Sequence, residues 1–456
     1  MAVEQFFIIV NSGGSDTAAS GCGPATAVSG TGASVTSSST SVDLSADSPD
    51  LSSVVADDLL WVDTSSGRQW GRIVSVDNVA KTVTLGTYST YSVTEIGRNW
   101  GIGGKRATLM GCDNFMLHRR NSSYVGDMAY YGISIEDNQT ITSKFPSADV
   151  SHAVHFVMKG SGATRPVITC SQTAGTPALR TGWSTADYFV LMNLEFNHTN
   201  NASTDEFISK WYASTVRAFN CRFGSAGDAN ALIEDQSGSV FMVNCEVHCS
   251  VFSAYELTSG TYELRGCSIF GTGSGTCFNS RIPMTLDSCV VVDFAQAISN
   301  YSSQGSKCIT NCIFDNITTA VFYDTSNSDD NFFFANHNNC YSNCGEVYKY
   351  PTRTYTAGYQ VAYQFDGPIA RYNNNYYNVT TVGATLNSTE TQLDPAYADT
   401  ANNDYTITNS TLLTGGGYPI SLGGHASTSS VGPTTSSATG GTSYTPAASA
   451  KFTRLE

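Results

Sequence analysis

Charge is scarce in this chain. Asp, Glu, Lys and Arg make up 13% of its 456 residues, against about 25% in an ordinary globular domain, which excludes coiled coils and charged helical bundles. Basic residues are scarcer than acidic ones. The 23 Lys+Arg against 38 Asp+Glu leave a formal charge of −15, which repels a phosphate backbone, so no nucleic acid partner is expected. No stretch approaches the roughly 18 consecutive apolar residues of a membrane span, so no membrane insertion is expected. The opening MAVEQFFIIVNSGG holds one short apolar run, Phe6 to Val10, preceded by Glu4 and no basic residue. A secretory signal needs a cationic start and a longer apolar core. The expectation is a chain made without a leader, and its thirteen cysteines, an odd number in a large chain, are then read as thiols. The sequons at Asn138, Asn201, Asn316 and Asn378 are read as chance products of a chain rich in Asn, Ser and Thr.

What the chain does have is enough apolar surface to fold. Its hydrophobic content is 41% with 11% aromatics, far above a disordered chain, and its length suits two or three ordinary domains or one elongated repeat. The centre of the chain repeats a theme. The strings FVLMNLEF, TVRAFNCRF, VFMVNCEV, YELRGCSI, MTLDSCVV, CITNCIF and NHNNCYS all read apolar, x, Asn (or Gly/Ser), Cys, x, apolar. The position after the Asn is held by Leu194, Cys221, Cys245, Cys267, Cys289, Cys312 and Cys340, and Cys170 is read as extending the row. A period near 23 residues with two-residue alternation inside each unit describes stacked short strands, not helices. Three strands per turn emerge. Inward positions after the Asn are Cys245 with Val247, Cys267 with Ile269, Cys289 with Val291 and Cys312 with Phe314; further apolar pairs include Cys277 with Phe278 and Val321 with Phe322.

Asn193, Asn220, Asn244, Asn311 and Asn339, with Gly266 in one coil, occupy the turn between two strands, where a left-handed backbone favours Gly, Asn and Asp. Stacked amides there are expected to hydrogen-bond from coil to coil. Coils stack at about 4.8 Å, whereas a disulfide wants Cβ atoms about 3.8 Å apart. A reduced ladder of buried thiols is the expected state.

These features resemble the right-handed parallel β-helix of the pectate-lyase-like superfamily. The resemblance covers about residues 100 to 410 and is strongest from 188 to 350. FFIIVNSGGSDTAASG is similar to the way such chains begin, and LDPAYADTANNDYTITNSTLLTGGG to the way they close. In leaderless chains the architecture is common in bacteriophage tail spikes, fibres and other virion surface proteins, so the resemblance implies a phage origin.

Residues 25 to 100 break the coil pattern and alternate as hairpins, with turns at Ser65 to Gly67 and Asp77 to Lys81. They read as a small antiparallel β-domain inserted after a first strand and turn at 1 to 24. A solenoid exposes an open sheet edge at each end, so capping is the plain role for this insert, and docking onto a larger assembly is compatible with it. The β-helix is assigned to 101 to 422. From 423 to 456 the chain is low-complexity and is expected to order only against a neighbouring subunit or the particle.

Candidate chemistry is thin. The NTD, GHG and RIK strings of polygalacturonase-like β-helix enzymes are absent. The outward residues after the Cys row run Glu195, Arg222, Glu246, Ser268, Val290, Ile313, Tyr341. Two carboxylates flanking an arginine suit either an acid pair or a surface ion ladder, and the ladder is the reading preferred. Cys245/Cys249, Cys308/Cys312 and Cys340/Cys344 share a CxxxC spacing near His248 and His337, yet lack the matched CxxC pairs of structural zinc. His152 and His155 lack the Glu of a zincin. Gly271, Gly273 and Gly275 read as a loop, outside any strand-to-helix dinucleotide context. The Tyr-rich segment from Tyr341 to Tyr377, including Tyr348, Tyr350, Tyr355, Tyr359, Tyr363, Tyr372 and Tyr376, suits a protein interface more than sugar stacking.

The expectation is therefore an all-β, non-enzymatic virion surface protein, either a capsid decoration or a tail fibre component. Its expected partners are copies of itself, most simply in a trimer, and the major capsid or tail proteins; no catalytic, cofactor or metal residue is assigned. The start of the β-helix pattern at residue 6, with no separate anchor before it, favours decoration. The alternative is a tail spike that binds or depolymerises host surface polysaccharide.

Overall fold

The computed structural model describes residues 3–86, 91–112, 128–145, 154–171, 178–180, 188–198, 206–210, 214–225, 231–235, 238–257, 260–280, 282–300, 307–324, 334–349, 370–372, 374–382, 386 and 390–414. The tail at 423 to 456 lies outside them, as do His152, Asn201, Tyr350, Tyr355, Tyr359 and Tyr363.

Strands alternate apolar and polar residues, and each finds its apolar face a partner by stacking in parallel on the coil before it. The result is a parallel β-solenoid. Its first stack has eleven strands, from Val3–Val10 and Met128–Ile135 through Gly238–Val243 to Ala370–Tyr372. A second stack follows the Asn turn, with Glu195–His198, Arg222–Ser225, Glu246–His248 and Ser268–Phe270 in successive coils. A third includes Val251–Leu257 and Thr276–Ser280. In Val290–Asn300 and Ile313–Asp324 the second and third stacks run together as one bent strand. Tyr262 pairs with Met284 and Met284 with Lys307, steps of 22 and 23 residues. Steps lengthen toward the ends, where His155 pairs with Tyr188 and Ala335 with Ala370.

The turn before the second stack behaves as the pattern predicts. Asn193, Asn220, Asn244, Ser288, Asn311 and Gly266 all have φ between 52° and 59°. The Nδ2 of Asn220 donates to Oδ1 of Asn193 at 3.0 Å, and Asn338 to Asn311 at 3.2 Å. A second turn column, Asp293, Asn316, Asn343 and Asn378, repeats the device at the next corner, also with positive φ. There Asn378 donates to Asn343 at 2.8 Å and Asn316 to Asp293 at 2.6 Å. The sequon residues Asn316 and Asn378 are thus turn residues.

Cys221, Cys245, Cys267, Cys289 and Cys312 form one buried inward column below Leu194, joined coil to coil by the backbone. All thirteen cysteines are free, and all but the half-buried Cys308 are buried. Two assignments to this column are corrected. Cys170 pairs with His198 and Ile141, four residues further along its strand, and Pro166 occupies the place opposite Leu194. At the other end the left-handed residue is Asn338, with φ 56°, so the inward place belongs to Asn339. Its Oδ1 accepts the Cys312 amide at 2.8 Å, and its own amide is received by Asn374 Oδ1 at 2.9 Å. The slip by one reverses the faces beyond it. Cys340 pairs with Ile313 and points outward, while Tyr341 stacks inside between Phe314 and Tyr376 at 5.4 and 5.2 Å. Tyr341 and Tyr376 are therefore core residues and not part of an interface.

Val28–Val35, Ser41–Asp43, Leu59–Thr64, Gly67–Asp77, Thr82–Leu85 and Glu95–Ile102 close into a small antiparallel barrel. Alternation along Leu59–Thr64 sends Leu60 and Val62 into the barrel core, while Leu59 and Trp61, with Trp70, join the solenoid core beside Phe6 and Ile8. Arg68 lies 3.6 Å over the Trp61 ring and Arg106 4.8 Å from that of Trp70. This aromatic plug covers the first coil. At the opposite end the hairpin of Tyr397–Asp399 with Asp404–Ile407, followed by the short helix Ser410–Thr414, folds back along the second stack. Its Tyr405, Ile407 and Leu412 cover the outward Phe270, Val290, Val292, Ile313 and Cys340.

Candidate functional site

Outward positions of the second stack divide in two. From Ser268 onward most are apolar, with Asp315 and Ser342 among the polar exceptions, and Phe270, Val290, Val292, Ile313 and Cys340 lie under the C-terminal hairpin. Before it they are charged, because Glu195 pairs with Arg222 and Arg222 with Glu246 in consecutive coils. Arg222 reaches Glu195 at 3.5 Å through Nη1 and Glu246 at 3.3 Å through Nε. Strand alternation puts His248 on the same face as Glu246, and its Nε2 meets Glu246 Oε1 at 2.7 Å. The His248 ring stacks on Phe270 at 5.0 Å, where the polar and covered parts meet. Gly224 lies beside the cluster opposite Asn197, whose Oδ1 would stand 3.0 Å from a Cβ at that position.

Burial raises the Glu246 carboxyl, but the His248 hydrogen bond and the Arg222 charge outweigh it and hold the group below its usual range. A glycosidic general acid must instead hold its proton at working pH. A carboxylate pair that cleaves also keeps a gap for sugar and water, and here the Arg222 guanidinium stands between Glu195 and Glu246. The arrangement is an ion ladder closed upon itself.

The remaining candidates are dispersed. Cys245 and Cys249 point inward, away from His248; Cys308 faces outward on the first stack while Cys312 is inside; Cys340 lies under the hairpin. Among the described residues no three His, Cys, Asp or Glu side chains gather as metal ligands. His155 rests against Tyr130, ring centroids 4.5 Å apart, and burial lowers its pKa. Gly273 and Gly275 have φ near 82° and turn a corner stacked on Asp293. A polar cluster missed from sequence sits beneath the hairpin: Asp315 accepts from Ser342 Oγ at 2.5 Å and Asn343 Nδ2 at 2.8 Å, and Tyr397 meets Ser342 at 2.7 Å. Burial pushes the Asp315 carboxyl up. The pairing of Glu246 with His248 was legible in their i, i+2 spacing, but the CxxxC pattern drew His248 toward Cys249.

No protein-family model matches this chain, and no curated protein matches it. Among solved structures it is similar to the tailspike protein gp49 from Pseudomonas phage LKA1, with a TM-score of 0.17 and 10% identity over 86% of this chain and 70% of that one. A likeness at that score bears on neither mechanism nor substrate.

Proposed function

We propose that this protein is a non-enzymatic structural component of a bacteriophage virion surface, a capsid decoration or tail fibre element, acting by self-association and attachment to the particle. The observation that carries the non-enzymatic part is the ladder of Glu195, Arg222, Glu246 and His248: each charge already has its partner on the same face, and Glu246 is held in its ionised form. The phage assignment rests on the resemblance of the repeat to virion β-helices. On this reading the partners are further copies of the chain and the capsid or tail proteins it meets during assembly in the host cytoplasm.

The alternative, a tail spike that depolymerises host polysaccharide, uses the same residues as acid and base. Incubation of the full chain with host capsule or lipopolysaccharide separates the two. Glycan chain length is expected to stay unchanged. Fragments that appear with the wild type and vanish with Glu246→Gln would make the ladder an active site.

A further inference from the structure

The outward face of the first stack carries a pattern that inverts about its own centre. Gly238–Val243 is the sixth of eleven strands, and Phe241 stands outward on it, partly buried, with its ring 5.6 Å from that of Phe219. One coil before Phe241 in the same column is Arg217; one coil after is Glu263. Two coils before is Val190 and two after is Thr285. Three before is Val157 and three after is Cys308. In this column Val157, Val190 and Arg217 lie before the centre and Glu263, Thr285 and Cys308 after it, and Glu263 also holds Arg265 of its own strand in an ion pair at 2.5 Å.

We infer that two copies of this chain pack face to face across the first stack, antiparallel, about a two-fold axis that runs along the strand direction at Phe241. This rests on the self-association part of the proposed function and gives it a surface and a stoichiometry, two instead of the three expected from sequence. The axis sets Phe241 against itself and Arg217 against the partner's Glu263, twice by symmetry. Val190 meets the partner's Thr285, and Val157 the partner's Cys308, a larger side chain against a smaller one each time. In the neighbouring column, Phe219 comes opposite the partner's Arg265, a cation over a ring. A parallel arrangement, with each coil against its own copy, would instead set Arg217 on Arg217 and Glu263 on Glu263.

Extent agrees with charge. An axis at the sixth of eleven strands overlaps the whole stack, and ten steps of about 4.8 Å by four residues of about 3.3 Å give a flat footprint of roughly 600 Å² per copy. Accessible area exceeds flat projection, and a stable interface needs about 800 Å² per partner. The second stack offers no comparable face among the described residues, being charged before Ser268 and covered by the C-terminal hairpin after it.

The test is sedimentation equilibrium on the full chain, its Arg217→Glu and Glu263→Arg variants, and their equimolar mixture, with circular dichroism to check that each is folded. The wild type is expected to be a dimer. Either variant alone places like charges across the axis and is expected to weaken dimerisation at least tenfold. Mixing the two restores both opposite-charge contacts. In the mixed dimer the new carboxylate at position 217 of one copy faces the new guanidinium at position 263 of the other, and the two unaltered residues, Glu263 and Arg217, face each other at the second contact. The mixture should therefore dimerise near wild-type affinity. A wild-type trimer, a dimer indifferent to both variants, or a mixture that stays monomeric would overturn this surface while leaving self-association standing. A wild type that remains monomeric at high concentration would overturn self-association itself.

Discussion

A thiol inside this solenoid packs beneath its own kind in the next coil, where a small polarisable group fills the corner without asking for a strong hydrogen bond. Burial raises the thiols of Cys170, Cys249 and Cys344, and that of Cys340 to about 11, so they are poor nucleophiles. Titration of the native protein with an aromatic disulfide reagent should therefore leave the twelve buried thiols unreacted, with Cys308 reacting as the two copies separate, and should rise to thirteen on denaturation; rapid native reaction at several column thiols would contradict the packing. Lys307 is a buried inward cation. It sits in the column of Tyr262 and Met284, donates to the Ile282 carbonyl at 2.6 Å, and burial lowers its pKa to about 8. The folded state releases the lysine proton near pH 8 and the unfolded chain near about 10.4, so the unfolded state binds more protons between them and stability rises with pH across that window. The shift corresponds to a penalty on the order of 3 kcal/mol at pH 7. Lys307→Met should stabilise at pH 7 and remove the rise, as read by urea denaturation at pH 7 and 10. Glu246 has the opposite sign: its depressed pKa stabilises the fold above the ordinary glutamate value of about 4.3, and that contribution is lost as pH falls through the folded pKa. The melting temperatures of wild type and Glu246→Gln should differ above the ordinary glutamate range and converge only once the pH has fallen below the depressed folded pKa of Glu246.

The turn is the element on which the solenoid depends, since every strand is short and its register is set by where the chain turns. Asn220, at φ 52° with its amide on Asn193, holds that conformation at little steric cost. Asn220→Gly should cost about 1 kcal/mol or less through the lost amide contact, whereas Asn220→Val should cost about 2–3 kcal/mol, since a β-branched residue resists a left-handed backbone. Equal losses for the two in thermal unfolding would mean that the side chain, and not φ, is what matters. Turns also explain how far the fold could be read. From Asn193 to Asn311 each turn has a single Asn, Gly or Ser before an apolar alternation, and the inward column follows. At Asn338–Asn339 two asparagines compete for the turn, and choosing the second reversed Cys340 and Tyr341. At Cys170 the preceding loop ends in Pro166, which has no amide and no thiol to mark the column. The ladder of Glu195, Arg222 and Glu246 was legible because all three follow unambiguous turns. The Asp315 cluster was not, since its cover comes from Tyr397, remote in sequence.

At the scale of the molecule, chain from outside the stack covers its first coil and one of its outward faces. Trp61 and Trp70 of the barrel close the first coil, where an open sheet edge would otherwise invite pairing, and the C-terminal hairpin with its short helix shields an apolar stripe on the second stack. Among the described residues the second stack is occupied by an ion ladder and the chain's own hairpin, and the first stack is the broad face proposed for self-association. The central claim, that this is an inert structural part of a virion exterior, is tested most directly by electron cryomicroscopy of purified particles from the producing host, with the chain marked by a specific antibody fragment. The account predicts ordered copies of the label on the outer surface of the particle. Particles that carry no label, with the protein recovered wholly in the soluble fraction, would contradict it.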